Sequence, residues 1–160
     1  GLDITILRYG IPYGPRARTG AVVPIFVRKA VNGEPITITG DGSQFRKFVY
    51  VEDLSEGNVL ALKSIASNKT YNLDGIEKIT IKEIAEMVRN IIGNVKIEYA
   101  PARTGDFSGK EVSSKRAEDE LGWTPKTSFN EGLKKYIDWY IQRERKREED
   151  WEKLDDLLKE

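Results

Sequence analysis

The segment GDGSQFRKFVYVED, from Gly40 to Asp53, constrains the fold more than any other, because it reads as a turn, a strand and a helix start in immediate succession. Glycine adopts positive φ at little cost, and Asp and Ser side chains bond nearby backbone groups, so the first four residues predict a tight turn. The β-branched and aromatic residues of Phe45–Val51 predict a strand. The apolar spacing of Leu54–Ile65 then predicts a helix, with Asp53 as its N-cap.

Strand and helix patterns alternate along the rest of the chain. Further strands are predicted at Ile4–Leu7, Ile36–Thr39, Tyr71–Leu73 and Val95–Tyr99. Further helices are predicted at Val22–Val31, from a Thr80–Glu83 capping box to Ile92, over a short segment ending at Leu121, and from Phe129 to Tyr140. The alternation indicates a small mixed α/β fold, with strands too few and too short for a complete doubly wound sheet.

The composition excludes several kinds of chemistry. The 160 residues contain no cysteine and no histidine, which excludes disulfides, zinc–thiolate sites, histidine-bound metals and Ser-His-Asp triads. The 26 basic and 26 acidic residues balance, so the net charge does not favour nucleic acid or an anionic membrane as a partner. The sequence contains no apolar run of membrane-spanning length, and we expect a cytoplasmic protein.

Arg46 stands between the predicted turn and the predicted helix start. A rigid turn that presents a guanidinium group beside a helix N-terminus suits a phosphate or a diphosphate. The alternative is an ordinary surface turn in which Arg46 is solvated or pairs with one of the abundant glutamates. The segment on its own leaves both interpretations open.

Five segments occur in a characteristic order: LRYGIPYGPRAR, VVPIFVRKAVNGEPITITGDGSQFRKFVYVEDL, YNL, YAPARTGD and ELGWTPKTSFNEGL. Together they resemble the C-terminal half of extended short-chain dehydrogenase/reductases. The nearest group is the NAD-dependent nucleotide-sugar epimerases and dehydratases, with UDP-glucose 4-epimerase as its type. The resemblance extends from Gly1 to about Tyr140.

The resemblance implies a division of the chain into three parts. Residues 1–12 would be a remnant of the Rossmann half, residues 13–140 the lid that binds the nucleotide-sugar, and residues 141–160 a charged helical tail. Family members carry a Gly-rich NAD loop and a catalytic Tyr-x-x-x-Lys pair in the N-terminal half, and this sequence contains neither. We therefore expect NAD to act in the intact parent enzyme, without tight binding to this chain and without catalysis by it alone.

The resemblance also assigns polar site residues. Arg46 matches the arginine that bonds the diphosphate, and Arg103 matches a second diphosphate arginine in the Pro-x-Arg-x-Gly-Asp loop. Asp106 matches an acidic residue near the ribose hydroxyls, although it is equally well explained as a loop cap. Two guanidinium groups from separate loops suit the charge of a diphosphate.

Apolar positions are assigned in the same way. Val23 and Phe26 would lie on the helix that faces the nucleotide. Ile36 and Ile38 belong to the strand whose backbone would approach the base. Tyr9 would lie on the cofactor side, near the nicotinamide.

Two departures from the family pattern affect the expected site. Ile11 stands where the family often has an asparagine that bonds the sugar nucleotide, which leaves the sugar undetermined. Lys47 stands where the family favours an acid, which makes the site more basic.

The expected partners are a UDP-sugar or another nucleotide-sugar, the chain's own N-terminal Rossmann half, and further copies of the chain. Homo-oligomers would form through the edge at Gly1–Gly10 or through the apolar stripe of Trp151, Leu154 and Leu158 in the tail. Epimerase is the leading function. The alternatives are a dehydratase, reductase or decarboxylase of the same family, or a non-catalytic module for nucleotide binding or assembly.

Overall fold

The computed structural model is a small mixed α/β fold and describes residues 1–102, 105 and 112–157, with side chains in the last helix described as far as Glu152. The strands are β1 (Ile6–Tyr9), β2 (Ile11–Tyr13), β3 (Ile36–Thr39), β4 (Phe45–Tyr50), β5 (Thr70–Leu73), β6 (Lys78–Thr80) and β7 (Ile97–Ala100). The helices are α1 (Val22–Val31), α2 (Val51–Leu60), α3 (Ile81–Ile92), α4 (Lys115–Leu121) and α5 (Phe129–Leu157). The predicted fold class is confirmed.

The strands form three small sheets. β1 pairs in parallel with β5, and β3 pairs in parallel with β7. β4 is the centre of the third sheet, parallel to β2 and antiparallel to β6. Parallel pairs of this kind need cover on their faces, and the helices supply it.

The main core lies between α1, α3, β3, β4 and the first turns of α5. An aromatic cluster closes it beneath the β2–β4 pair. The ring centroids of Tyr13 and Phe129 lie 4.9 Å apart, and those of Phe48 and Phe129 lie 5.1 Å apart. Burial in this cluster raises the pKa of the Tyr13 phenol well above its usual range. These rings fix β2, β4 and the start of α5 against one another.

A second, smaller core lies under β5, between α2 and α4. Its largest side chains are Tyr71 and Trp123, and both are buried. Leu7 of β1 packs against this cluster, so β1 is joined to the body by packing as well as by its pairing with β5. The division of the chain at residue 12 stays a prediction.

The predicted start of the second helix is wrong. The expected helix was Leu54–Ile65 with Asp53 as its N-cap, whereas α2 begins at Val51 with Tyr50 in the N-cap position and ends at Leu60. Correspondingly, β4 ends at Tyr50, one residue before the predicted end at Val51. After α2 the chain makes a separate 3-10 turn at Ser64–Ala66.

The reason lies in the bonds that Asp53 makes elsewhere. Its buried carboxylate accepts hydrogen bonds from the backbone N–H groups of Lys126 (3.2 Å) and Thr127 (3.0 Å) and from the Thr127 hydroxyl (3.2 Å). The Trp123 indole N–H donates to the Asp53 carbonyl at 2.8 Å. Asp53 therefore joins the first turn of α2 to the segment that leads into α5.

The capping box of α3 is confirmed. The Thr80 hydroxyl accepts a bond from the Glu83 N–H (3.1 Å), and the Glu83 carboxylate accepts one from the Thr80 N–H (2.7 Å). The bond from the Thr80 N–H, together with one from the Thr80 hydroxyl to the same carboxylate at 2.7 Å, lowers the pKa of Glu83, because both stabilise its charged form.

Helix α5 starts at Phe129 as predicted, and its helical structure continues through the charged segment to Leu157. Leu133, Tyr136 and Ile137 are buried on its inner face. Among the described residues, no helix combines the length and the apolar character that crossing a membrane would need. The cytoplasmic location stays a prediction.

Candidate functional site

A groove of about 400 Å³ lies between α1 and the strands β3 and β4. It has an apolar wall from α1, a polar floor from β3, and a cation from β4. Its lining residues are Gly20, Val22, Ile25, Phe26, Thr37, Thr39, Gln44, Arg46 and Ile81. This is the part of the described chain where the predicted arginine meets the predicted helix.

The alternation of side chains along β3 builds the floor of the groove. Successive side chains of a strand point to opposite faces. Ile36 and Ile38 are therefore buried in the main core, while Thr37 and Thr39 line the groove. The two isoleucine side chains are therefore out of reach of a ligand in the groove, and only their backbone atoms are left for such a contact.

The turn that follows β3 is rigid. Gly40 and Gly42 have φ of 72° and 75°, in the left-handed region that favours glycine. Between them the Asp41 carboxylate accepts bonds from the Ser43 N–H (2.9 Å) and from the Ser43 hydroxyl (2.7 Å), and these bonds lower the pKa of Asp41. A Cβ at Gly42 would lie 2.9 Å from an Ile38 methyl group, so the turn packs tightly on β3.

Arg46 is half-buried in β4, at the edge of the groove. One guanidinium nitrogen, Nη1, donates to the Phe45 carbonyl at 2.7 Å, which holds the group against the strand. A guanidinium group carries five donors in a planar fork. Lys47, the next residue, lines a different depression beside Asp74, because neighbouring side chains of a strand face opposite ways.

The apolar wall of the groove comes from one side of α1. Val22, Ile25 and Phe26 line the groove, although only a small edge of the Phe26 side chain is exposed. Val23 is 1% exposed and packs into the main core, so the structure does not bring its side chain to the groove. Ile11 is also in the core region, where it packs half-buried against the same cluster.

Arg103 and Asp106 lie outside the described residues, and their assigned roles stay predictions. The described chain nevertheless approaches the groove at this point. The Gly40 N–H donates to the Ala100 carbonyl at 2.9 Å, and a Cβ on Gly40 would lie 3.4 Å from that of Ala102. The segment that carries Arg103 therefore leaves the described chain beside the turn that precedes Arg46.

Tyr9 lies at a separate depression of about 440 Å³, at the ends of β1 and β5. Its phenol donates to the Asn58 side-chain oxygen at 2.7 Å, and about half of the side chain is exposed. Arg8, Gly10 and Asp74 line the same depression. Among the described residues, the structure does not bring Tyr9 together with Arg46.

Comparison with known proteins identifies the family. The profile of the NAD dependent epimerase/dehydratase family matches residues 1–74. The chain is 33% identical over 140 residues to a UDP-glucuronate 4-epimerase of Thermodesulfobacterium geofontis, covering 87% of this chain and 43% of the relative. It is 34% identical over 146 residues to UDP-glucuronic acid decarboxylase 1 of Arabidopsis thaliana, covering 89% of this chain and 33% of the relative. The chain belongs to the NAD-dependent epimerase/dehydratase family.

Solved structures agree with this assignment. A UDP-glucose 4-epimerase of Thermotoga maritima with UDP-glucose superposes with a TM-score of 0.84 at 33% identity, over 89% of this chain and 47% of that one. A UDP-glucuronic acid 4-epimerase of Bacillus cereus, in complex with UDP-glucuronic acid and NAD, gives 0.80 at 29% identity, over 87% and 45%. The chain thus spans less than half the length of these relatives.

Sequence reasoning missed three polar residues of the groove: Thr37, Thr39 and Gln44. The signal for the two threonines was present in the segment ITIT, because a strand that buries its isoleucines must turn its threonines the other way. Gln44 carries no comparable signal. Its place depends on how the Gly40–Gly42 turn directs the chain into β4.

Proposed function

We propose that this chain is the nucleotide-sugar-binding part of an NAD-dependent epimerase that acts on a UDP-sugar. The groove at Arg46 would hold the nucleotide diphosphate, and an N-terminal Rossmann half would supply the NAD site and the catalytic tyrosine and lysine. Family membership supports this proposal, together with relatives that are UDP-sugar epimerases crystallised with their nucleotide-sugars.

The observation that carries the proposal is the composition of the groove. A diphosphate carries about two negative charges, and a guanidinium fork bonds phosphate oxygens more strongly than a neutral donor does. Arg46 provides that fork at one end of the groove. The apolar wall of Val22, Ile25 and Phe26 suits a planar base, and the β3 threonines offer hydroxyl groups beside it. Arg103 and Asp106 would complete the site from the neighbouring segment.

We expect no tight NAD site on this chain alone. The sequence has no Gly-rich cofactor loop, and Tyr9 offers only one side of an open depression. NAD, bound by the other half, supplies the acceptor for hydride. The part of this chain would be to fix the diphosphate, so that the sugar is presented to the cofactor in a defined orientation. On this proposal the 160 residues alone have no epimerase activity, and measured activity would contradict it.

Calorimetric titration of the chain with UDP, UDP-glucose, dTDP and NAD tests the proposal. We expect binding of UDP and UDP-glucose and no heat from NAD. Arg46→Ala should weaken UDP binding by about 10–100-fold, because a hydrogen bond to a charged group contributes about 1.5–3 kcal/mol.

Lys47→Ala is the matched control, since it removes a neighbouring cation that faces away from the groove. It should change UDP affinity by less than about threefold. Equal losses in the two variants would show that general charge, and not the groove, attracts the nucleotide. No binding of UDP to the unmodified chain would contradict a surviving substrate site.

A decarboxylase or dehydratase of the same family is the second candidate. The 34% identity to the plant decarboxylase is as high as the identity to the epimerases, so the nucleotide-binding part alone favours neither reaction. Comparing UDP-glucose with UDP-glucuronate in the same titration separates the substrates. A clear preference for UDP-glucuronate would favour a 4-epimerase or decarboxylase that acts on UDP-glucuronate.

A further inference from the structure

The α1 wall of the candidate groove continues one helical turn past its apolar part. The three apolar residues of α1 that line the groove are Val22, Ile25 and Phe26. Lys29 follows Phe26 by three residues and Val22 by seven, so it lies on the same face of the helix. Its ammonium group donates to the Thr37 hydroxyl of β3 at 3.0 Å. Because Thr37 lines the groove, this bond places a cation beside it in addition to the arginine of β4.

The bond from Lys29 sets the direction of the Thr37 hydroxyl. A hydroxyl group has one donor and two acceptor positions, whereas an ammonium group has three donors and no acceptor. Thr37 therefore accepts from Lys29, and the positive charge turns the hydroxyl hydrogen away from the ammonium group. This part of the groove offers hydrogen-bond donors and positive charge. That combination favours a carbonyl oxygen and disfavours an amino group.

A neighbouring carboxylate does not reverse this preference. Glu98 of β7 pairs in register with Thr37, so the two side chains lie on the same face of the sheet. The Glu98 carboxylate forms an ion pair with Lys96 at 2.7 Å. The charge of Glu98 is thus offset by a lysine of its own segment, while the Thr37 hydroxyl has Lys29 as its donor.

The backbone of β3 does not supply the same selectivity. The Ile36 N–H donates to the Lys96 carbonyl at 2.8 Å, on the side of β7. Backbone groups of successive strand residues point to opposite edges, so those of Thr37 face away from β7. A strand edge carries both N–H donors and C=O acceptors, and it can bond a base that carries a keto group or one that carries an amino group. The choice between the two therefore falls to side chains.

We propose that Lys29 and Thr37 select the base of the nucleotide, favouring a keto pyrimidine, uracil or thymine, over cytosine. The O4 carbonyl of uracil accepts hydrogen bonds from both side chains. Cytosine carries an amino group at the same ring position, which sets donors against donors. A site whose polar groups are left unpaired by the wrong ligand rejects that ligand. This inference rests on the proposed function, since it requires that the groove holds a nucleotide.

Calorimetric titration with UDP and CDP tests the selection, because these ligands share the ribose and the diphosphate and differ only in the base. The unmodified chain should bind UDP about 5–30-fold more tightly than CDP. Thr37→Val removes the hydroxyl and keeps the shape, and Lys29→Met removes the charge and keeps most of the stem. Each should weaken UDP binding about 3–10-fold and change CDP binding less than about twofold. The UDP:CDP affinity ratio then falls toward one.

Conservative variants separate base selection from an effect on folding. Thr37→Ser keeps the hydroxyl and Lys29→Arg keeps the charge, so both should retain the preference for UDP to within about threefold of the unmodified ratio. Arg28→Met is the matched control for Lys29→Met, since it removes an exposed cation one residue away on a different face of α1. It should leave the UDP:CDP ratio unchanged.

Arg46→Ala distinguishes this inference from the proposed function. It should weaken UDP and CDP equally, because both carry the diphosphate, and leave their ratio unchanged. If UDP binds through Arg46 but Thr37→Val and Lys29→Met leave the ratio unchanged, the pair only joins α1 to β3. The inference is then wrong and the proposed function stands. Equal binding of UDP and CDP to the unmodified chain would also overturn the inference. Binding of neither nucleotide would contradict both the proposed function and the selection.

Discussion

The two parts of α5 have the same secondary structure and different sources of stability. From Phe129 to Tyr140 the helix buries one side in the main core, with Leu133, Tyr136 and Ile137 almost fully buried. Beyond Tyr140 the described side chains are mostly exposed. The first part is held by tertiary packing, which is the usual source of helix stability in proteins, and the second part by its own charges.

The body also contains ion pairs that join distant segments, whereas the described ion pair of the extension, the part of α5 after Tyr140, is local. In the body, Lys69, directly before β5, forms an ion pair with Glu120 of α4 at 2.7 Å. Lys126 forms one with Glu56 of α2 at 2.6 Å. In the extension, Arg147 pairs with Glu144 one turn away. A pair that joins distant segments resists unfolding of the whole body, whereas a local pair supports only its own turn. Helical structure in this chain is therefore not by itself evidence that a segment packs into the core.

Truncating a side chain in each part of α5 is the sharpest way to test this difference. Leu133→Ala should destabilise the chain by about 2–5 kcal/mol, because it removes a fully buried side chain and leaves a cavity. Trp151→Ala, the larger deletion, should change the free energy of unfolding by less than about 0.5 kcal/mol at concentrations where the chain is monomeric. Urea denaturation of both variants measures the two values. Similar losses would show that the extension shares the core.

Asp53→Ala should have the next largest effect. It leaves the N–H groups of Lys126 and Thr127 without their acceptor in a partly buried place, at a cost of about 1–3 kcal/mol. Glu52→Ala is the matched control, since it removes an exposed carboxylate from the same helical turn and should cost less than about 1 kcal/mol. Equal effects of the two variants in urea denaturation would mean that both act only through the helix dipole.

Asp53 also marks the limit of what the sequence could predict about the fold. Several helix and strand positions followed from periodicity, and β3 at Ile36–Thr39 and α1 at Val22–Val31 agree with their predicted bounds. The first strand was predicted at Ile4–Leu7 and lies at Ile6–Tyr9, and the short strands β2 and β6 were not predicted. The start of α2 differs from its prediction, because local capping rules assign a carboxylate to the nearest helix end. Asp53 instead bonds residues more than seventy positions away, which no local pattern reveals.

The groove was predictable in part for a related reason. Arg46 was singled out from the turn that precedes it and from the family resemblance, and both Arg46 and Phe26 line the groove. The ligand roles assigned to them stay predictions. Val23 was expected on the same face, yet it is buried in the core. A helix of ten residues that packs on several sides has no single ligand face, so its orientation depends on packing that the sequence does not state.

The pH dependence of stability that Glu120 contributes tests the comparison of long-range and local ion pairs further. Bonds from Lys69 first, and then from the Tyr71 phenol and from Arg116, lower the pKa of Glu120 from 4.5 to about 2. A carboxyl group whose pKa is lowered in the folded state stabilises it above the unfolded pKa. That stability is fully present at pH 7 and is lost as the pH falls from about 4.5 toward 2. Thermal unfolding measured between pH 7 and pH 2 should show this loss in the unmodified chain.

Glu120→Gln should flatten the acid limb of that stability profile. The amide has no charge to lose, so the variant starts less stable at pH 7 and converges with the unmodified chain near pH 2. Glu118→Gln is the control on the same helix, because the ion pair of Glu118 is with Lys115 at 3.8 Å, within one turn. It should leave the profile nearly unchanged. If both substitutions flatten the profile equally, joining β5 to α4 confers no advantage over a pair within one turn, and the distinction between the body and the extension would rest on apolar packing alone.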